Sequence, residues 1–329
     1  MSGVATSGTM TIRTITALFG LLVLAGTAQA QDYPNRLIKL MHGFPPGGNV
    51  DVVARILAQA MAKSLGQPIV VEGKPGQAGS LAAEAVAGAD PDGYTLLLVS
   101  GAHPATAAVY KKLKYRPVDD FAWISTVSFY PFLLCVRKDS NLQSLADLLQ
   151  EARSRPGSVT SGIAGIGAIS HMTTELIGMS ANVKLLSVPY RGEAQAMTGL
   201  LSDDVTFVVA TSTLAVPHLR GGEVRALGVT GKTRWKDFPD VPTIAESGLN
   251  DFEVISWSGL AAPAKTPPPI IDRLGAELQR AIAMPEVRAP LEGFGAEVRG
   301  TTPAEMRALV ERQLALWSKV AAQANIQIE

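Results

Sequence analysis

Arg36-Leu37-Ile38-Lys39-Leu40-Met41-His42, followed at once by Gly43-Phe44-Pro45-Pro46-Gly47-Gly48 and then by Asn49 to Leu65, is the stretch that decides the fold. The first run is apolar and of strand length. The next six residues hold two prolines and three glycines, which is turn chemistry. Beyond them Val52, Val53, Ile56, Leu57, Ala60, Met61 and Leu65 fall on one face of a 3.6-residue helix, with Asn49 read as its N-cap and Gly66 as its stop. Strand, glycine turn and helix in that order form the first half of a βαβ unit, the building block of a parallel sheet covered by helices.

The same order recurs downstream. Strand Pro68 to Glu72 leads through Gly73 to Gly79 into an Ala-rich helix from Ser80, and Asp90-Pro91-Asp92-Gly93 turns the chain into strand Tyr94 to Ser100. Val159 to Ser161, turn Gly162 to Ala168 and a helix from Ser170 to about Ser180 form a third unit, with Ser170 as its cap. A fourth has strand Lys184 to Val188, turn Pro189 to Gly192 and helix Glu193 to Leu201; a fifth has strand Val205 to Val209 with Thr211-Ser212-Thr213 opening the next helix. After these, Ala264 to Pro269 reads as a stiff extended connector and two helices are expected, the last capped by Thr302 with Pro303 and Glu305 completing its start.

Upstream, Arg13 and the apolar stretch Ile15 to Ala25 read as an export signal, with Ala28-Gln29-Ala30 as the cleavage site and Gln31 as the mature start. The expected location is therefore outside the cytoplasm. The 29 basic and 29 acidic residues cancel, which argues against a nucleic-acid partner. Cys135 is the single cysteine and sits in an apolar run, so it is read as a buried core thiol in a chain held by packing.

Turns at the carboxyl ends of parallel strands gather on one edge of a sheet, and each opens a helix whose first N–H groups lack helical partners. An anion is the natural guest. Nucleotide and catalytic motifs are absent by comparison. Gly162-Ile163-Ala164-Gly165-Ile166-Gly167 has the wrong glycine order for a dinucleotide fingerprint, and Gly231-Lys232-Thr233 lacks the leading glycine of a phosphate loop because Ala226 stands there. Ser170 and His171 are neighbours on a helix and diverge by about 100°, with no nucleophile elbow around the serine. His42, His103, His171 and His218 show no metal spacing. No catalytic residue, metal or cofactor is expected.

Read together, several pieces resemble the receptors of tripartite tricarboxylate transporters, the Bug family of solute-binding proteins: Pro45 to Asp51, Lys74 to Gly79, Pro91 to Leu97, Leu113-Lys114-Tyr115, Pro189 to Gly192 and Asp240 to Gly248. The resemblance implies an α/β, two-lobed type II periplasmic-binding-protein fold, each lobe a mainly parallel sheet flanked by helices. It places lobe 1 at residues 31–131 plus 253–329 and lobe 2 at 132–252, after a signal peptide at 1–30. It further implies a monomeric receptor that holds a small organic carboxylate between its lobes and delivers it to the transporter's membrane subunits.

Candidate ligand contacts are Phe44, Gly47, Gly48 and Asn49 from the first turn and Gln77, Ala78, Gly79 and Ser80 from the second. Gly101 and His103 follow the third strand; Ser161, Ala164, Gly165, Gly167 and Ser170 come from the lobe-2 glycine turn, with Tyr190, Arg191 and Thr211 beyond it. Relative to the family, Ser80 replaces a common Asn, and Ala210 replaces an Asp that would face a ligand ammonium. Asp51 reads either as a first-turn carboxylate serving its own helix, the preferred role, or as a ligand contact. Arg191 reads equally as a clamp or as a solvated turn residue. Two other functions compete with transport: a ligand-sensing adaptor for a membrane sensor, and an exported hydrolase or isomerase, which would need a placed base.

Overall fold

The structure is a computed structural model that describes Gly3 and residues 33–328. The expected leader, residues 1–30, lies outside the described residues apart from Gly3. The chain divides into two units, Met1–Asn35 and Arg36–Glu329, and the second carries everything that follows. No helix among the described residues is long and apolar enough to cross a membrane.

The opening stretch folds as read: β1 (Ile38–His42) leads into α1 (Asn49–Leu65), with Gly66 at its stop in the left-handed conformation. Asn49 is nevertheless the first helical residue and not the cap; Gly48 holds the cap position. β2 (Ile69–Gly73) leads through a short turn of 3₁₀ helix (Gln77–Gly79) into α2 (Ser80–Ala87), and β3 (Thr95–Ser100) into α3 (Ala102–Val109). β1 pairs in parallel with both β2 and β3.

In the second half, β5 (Thr160–Ile163), β6 (Leu186–Pro189) and β7 (Phe207–Thr211) are parallel, each leading into a helix: α5 (Ile169–Ala181), α6 (Glu193–Leu201) and α7 (Ser212–Arg220). Gly162 therefore lies within a strand instead of opening a turn. α4 (Leu145–Ser154) precedes this group and β8 (Val224–Val229) follows it.

Two long strands join the halves. β4 (Phe121–Arg137) pairs antiparallel with β9 (Ile255–Pro263) over Phe121 to Pro131, then with β7 from Phe132 and with β8 from Leu133. β9 also pairs antiparallel with β3. The resulting order is β2-β1-β3-β9-β4-β7-β5-β6, with β8 and β10 (Glu297–Val298) added on β4.

These pairings fix the geometry of the molecule. Two antiparallel steps separate β3 from β4, so β1, β2 and β3 run in the sense of β4, toward the second half. One antiparallel step separates β4 from β7, so β5, β6 and β7 run back toward the first. The carboxyl edges of the two halves thus face each other near the point on β4 where its partner changes, between Pro131 and Phe132.

The C-terminal part departs from expectation. Pro268 already opens α8 (Pro268–Ala283), because proline is well suited to a helix's first turn; α9 (Pro285–Gly293) and α10 (Pro303–Gln323) follow, so three helices replace the expected two. Thr302 and Glu305 form the expected capping box on α10. Trp317, Val320 and Ala321 of α10 join Ala105 and Val109 of α3 in one core with Phe132, Ile169 and Met172. Cys135 is fully buried, as expected.

Candidate functional site

Six helices follow the six parallel strands of the facing edges, and none of them has a side-chain hydrogen bond at its N-cap. On the opposite edge α4 carries a full capping box from Ser144 and Asp147. The first-turn amides on the facing edges are left to loops and solvent, and an anion between them gains their hydrogen bonds and the helix dipoles.

The β1–α1 turn is braced from beneath. Asp51, 3% exposed, accepts Gly47 N–H at 2.9 Å and both Nε–H (2.9 Å) and Nη2–H (3.0 Å) of Arg55, and lies 3.1 Å from His42 Nε2. Hydrogen bonds from Arg55, foremost, hold its carboxyl below the usual carboxylate range. Phe44 N–H donates to His42 Nδ1 at 3.4 Å, which leaves the proton of a neutral His42 on Nε2, toward Asp51. Asp51 is thereby taken up by its own turn and helix.

The β2–α2 turn is strained. Gln77 and Ala78, both non-glycine, sit at φ 47° and 50°, followed by Gly79 at 99°. Such backbone costs about 1 kcal/mol or more per residue and persists only where its surroundings hold it. Thr106 Oγ1–H donates to Ala78 O at 3.2 Å, and Ser80 Oγ–H donates to Gln77 Oε1 at 3.0 Å. Gly101 N–H is bonded to Trp257 O at 3.0 Å, which seats the third turn on β9. His103 lies under these turns, ringed by Tyr115, Phe121 and Trp123, with Nε2 2.7 Å from Pro117 O. Burial pushes its pKa down to about 4. Its packing is that of a core histidine.

Across from these turns, Ser170 is not a cap, since Ala168 holds that position. Its Oγ instead accepts Ala164 N–H at 3.1 Å, while His171 Nδ1 accepts Gly167 N–H at 3.1 Å and its Nε2 points at Glu175, 3.4 Å away. Ser170 and His171 together form a two-point brace on a glycine turn. Gly165 and Gly167 have φ of 115° and 78°, and Ile166 between them is 52% exposed. Ser161 is fully buried, with its hydroxyl 2.9 Å from Thr174 Oγ1. The Tyr190 ring folds back onto α6, where a β-carbon on Gly199 would meet its hydroxyl at 2.3 Å. Arg191 is exposed and makes no ion pair among the described residues.

Two residues absent from the sequence-based candidates belong with these turns. Tyr130, 4% exposed, stands on β4 beside the change of partner. Burial pushes its hydroxyl up to about 12, with Ser256 and Asn49 opposing and the charge of Glu193 reinforcing the shift. One side chain thus feels Asn49 from the first half and Glu193 from the second. Glu193, the first residue of α6, accepts the Thr211 hydroxyl at 2.7 Å, and Thr213 in turn donates to Thr211 at 3.0 Å. Burial, opposed only by bonds from Thr211, pushes the Glu193 carboxyl up to about 7. Glutamate in a first turn reads in sequence as a helix-dipole residue, which is why it went unnoticed. Ala210, where the family Asp would stand, is buried within β7.

Phe44, Ala78, Gly79, Ser80 and His103 also line a hollow of about 20 Å³. That is room for a single water and too little for an organic acid. A larger cavity of about 490 Å³ is lined by Lys138, Ser144, Arg225 and Pro242 and gathers none of the candidate residues.

Residues 53–326 match the model of the tripartite tricarboxylate transporter family receptor. BugT of Bordetella pertussis is 30% identical over 326 residues, covering 97% of this chain and all of that protein. A protein of R. palustris solved with adipate is 33% identical at a TM-score of 0.83, over 90% of this chain and 99% of its own. MatC of Rhodopseudomonas palustris, solved with bound malate, is 35% identical at a TM-score of 0.80, over 88% and 99%.

Proposed function

The chain belongs to the tripartite tricarboxylate transporter receptor family, the family of the Bug proteins, and from that premise we propose that it is a periplasmic receptor for a small organic carboxylate. The ligand lies between lobe 1, residues 31–131 plus 253–329, and lobe 2, residues 132–252, and is handed to the membrane subunits of a tripartite transporter. The observation that carries this reading is the convergence of six side-chain-uncapped helix starts on two facing strand edges. Adipate and malate in two solved relatives support the ligand class.

Contacts come mainly from backbone: the amides of Gly48, Asn49, Ala78, Gly165 and Ile166, whose neighbours Gly47, Ala164 and Gly167 are braced by Asp51, Ser170 and His171, joined by the hydroxyl of Tyr130. Ile166, exposed on its turn, offers an apolar surface to the acid's hydrocarbon part. Arg191, on the rim, steers the anion more than it holds it. A non-amino mono- or dicarboxylate binds better than the amino acid of similar size, because the donors outnumber the acceptors and Asp51 is occupied by Arg55 and His42. The hydrolase or isomerase alternative loses its base, since His171 and His103 are spent on Gly167 and Pro117.

Calorimetry on the purified protein tests the reading with adipate, malate and benzoate against glutamate. One of the acids binds tightly and glutamate does not; failure of every acid refutes it.

A further inference from the structure

We propose that Glu193 is a specificity residue of the cleft that meets the ligand's carboxylate in its neutral form, so that capture of the acid takes up one proton. The inference rests on the carboxylate reading of the cleft and adds to it a named residue and a pH dependence.

The geometry supplies the reason. Glu193 opens α6 on the edge of β5, β6 and β7, held by the Thr213–Thr211 hydroxyl chain at 3.0 Å and 2.7 Å. The elements packed on it bring no cation. β5 (Thr160–Ile163) and β7 (Phe207–Thr211) hold no ionisable side chain, and β4 offers Tyr130 at this point. The loop before α6 carries Tyr190, turned onto Gly199, and the exposed Arg191; Asp204 lies beyond the helix's other end. On α7 the charged side chains, His218 and Arg220, fall in the last turn.

The other acceptors at these edges, on Asp51, Gln77, Ser170 and His171, are taken up by Gly47, Arg55, Ser80, Ala164 and Gly167, so what remains for a ligand is mainly donors and the site suits an anion. An ionised Glu193 there would repel one, and two carboxylates that close do not both stay ionised. Protonated, Glu193 becomes a donor: its O–H gives a hydrogen bond to a ligand oxygen while Thr211 keeps the other carboxyl oxygen in place. The proton comes from solvent, and no covalent bond changes. Burial has already moved Glu193 to where this is easy, with its carboxyl up at about 7 before any ligand arrives.

The sign of the effect follows. An anion raises the Glu193 pKa further, so binding takes up a proton wherever the free protein is ionised. Affinity then falls as pH rises above about 7, approaching tenfold per unit.

The test is calorimetry with adipate, malate and benzoate between about pH 6 and 8.5, above the ordinary carboxylate range, in two buffers of different ionisation enthalpy. The acid that binds is expected to take up close to one proton at the alkaline end and to lose affinity there, and Glu193→Gln to flatten the slope. Wild-type affinity that is level across this range without proton uptake overturns the inference, as does an unchanged slope in Glu193→Gln. Glutamate binding more tightly as pH rises also overturns it. Because proton uptake is read on the wild type, the result stands even if the variant folds poorly. Failure of all three acids at every pH refutes the carboxylate reading itself.

Discussion

Gly43 and Gly79 meet backbone to backbone: a β-carbon on Gly43 would lie 2.3 Å from Gly79 Cα and 2.6 Å from Gly79 O. The first two lobe-1 turns are therefore packed directly against each other. Gly43→Ala is expected to lower stability by about 3 kcal/mol, since backbone on the other side has no rotamer through which to yield. Thermal unfolding measures it; a change within the range of ordinary surface substitutions contradicts the contact.

Gly79 and Gly165, at φ 99° and 115°, also carry the proposed backbone cradle. Valine at either is expected to weaken carboxylate binding more than tenfold, and Arg191→Ala less than threefold. Calorimetry on the three variants decides it. Abolition of binding by Arg191→Ala alone, with both glycine variants normal, would make the arginine the clamp.

Asp51→Asn removes a charged acceptor of Gly47 and Arg55 while keeping the size of the side chain. We expect a loss of about 2–3 kcal/mol in denaturant unfolding, with weaker ligand binding as the Pro45–Asn49 turn loosens. Unchanged stability would mean that solvent takes over those bonds.

His103, with burial lowering its pKa to about 4, binds fewer protons folded than unfolded. The stability it contributes is complete above the unfolded histidine value of about 6.5 and is lost as pH falls toward 4. Burial lowers His42 as well, and that shift acts in the same sense. Denaturant midpoints should fall over this window, and His103→Phe should shallow the fall. A flat profile would place solvent at the ring.

Facing edges on two lobes imply closure on the ligand. The radius of gyration from small-angle scattering is expected to shrink when a verified acid is added; an unchanged value would mean that the cleft is rigid.

Much of the fold was legible because most of the parallel strands are short apolar runs followed by a glycine turn. The crossing strands were not. β4 buries Ser125, Thr126 and Ser128 among its apolar residues, and these find partners far along the chain, as in the 2.8 Å contact of Ser128 with Ser258 and the Gln279 and Thr301 bonds to Ser125. A buried strand whose polar groups find distant partners has no periodic pattern to read. The site was half legible for a similar reason. Glycine turns announce themselves, whereas the inward fold of Tyr190 onto Gly199 and the hydrogen bond from Thr211 to Glu193 join residues that no spacing pairs.

The central claim, capture of one small carboxylate between facing strand edges, is tested most directly by native mass spectrometry of protein exported and purified without refolding. The account predicts a single bound organic acid on the wild type, absent from Gly79→Val and Gly165→Val. Wild type free of any ligand after a panel of acids has been offered, or an adduct that persists in both variants, would contradict it.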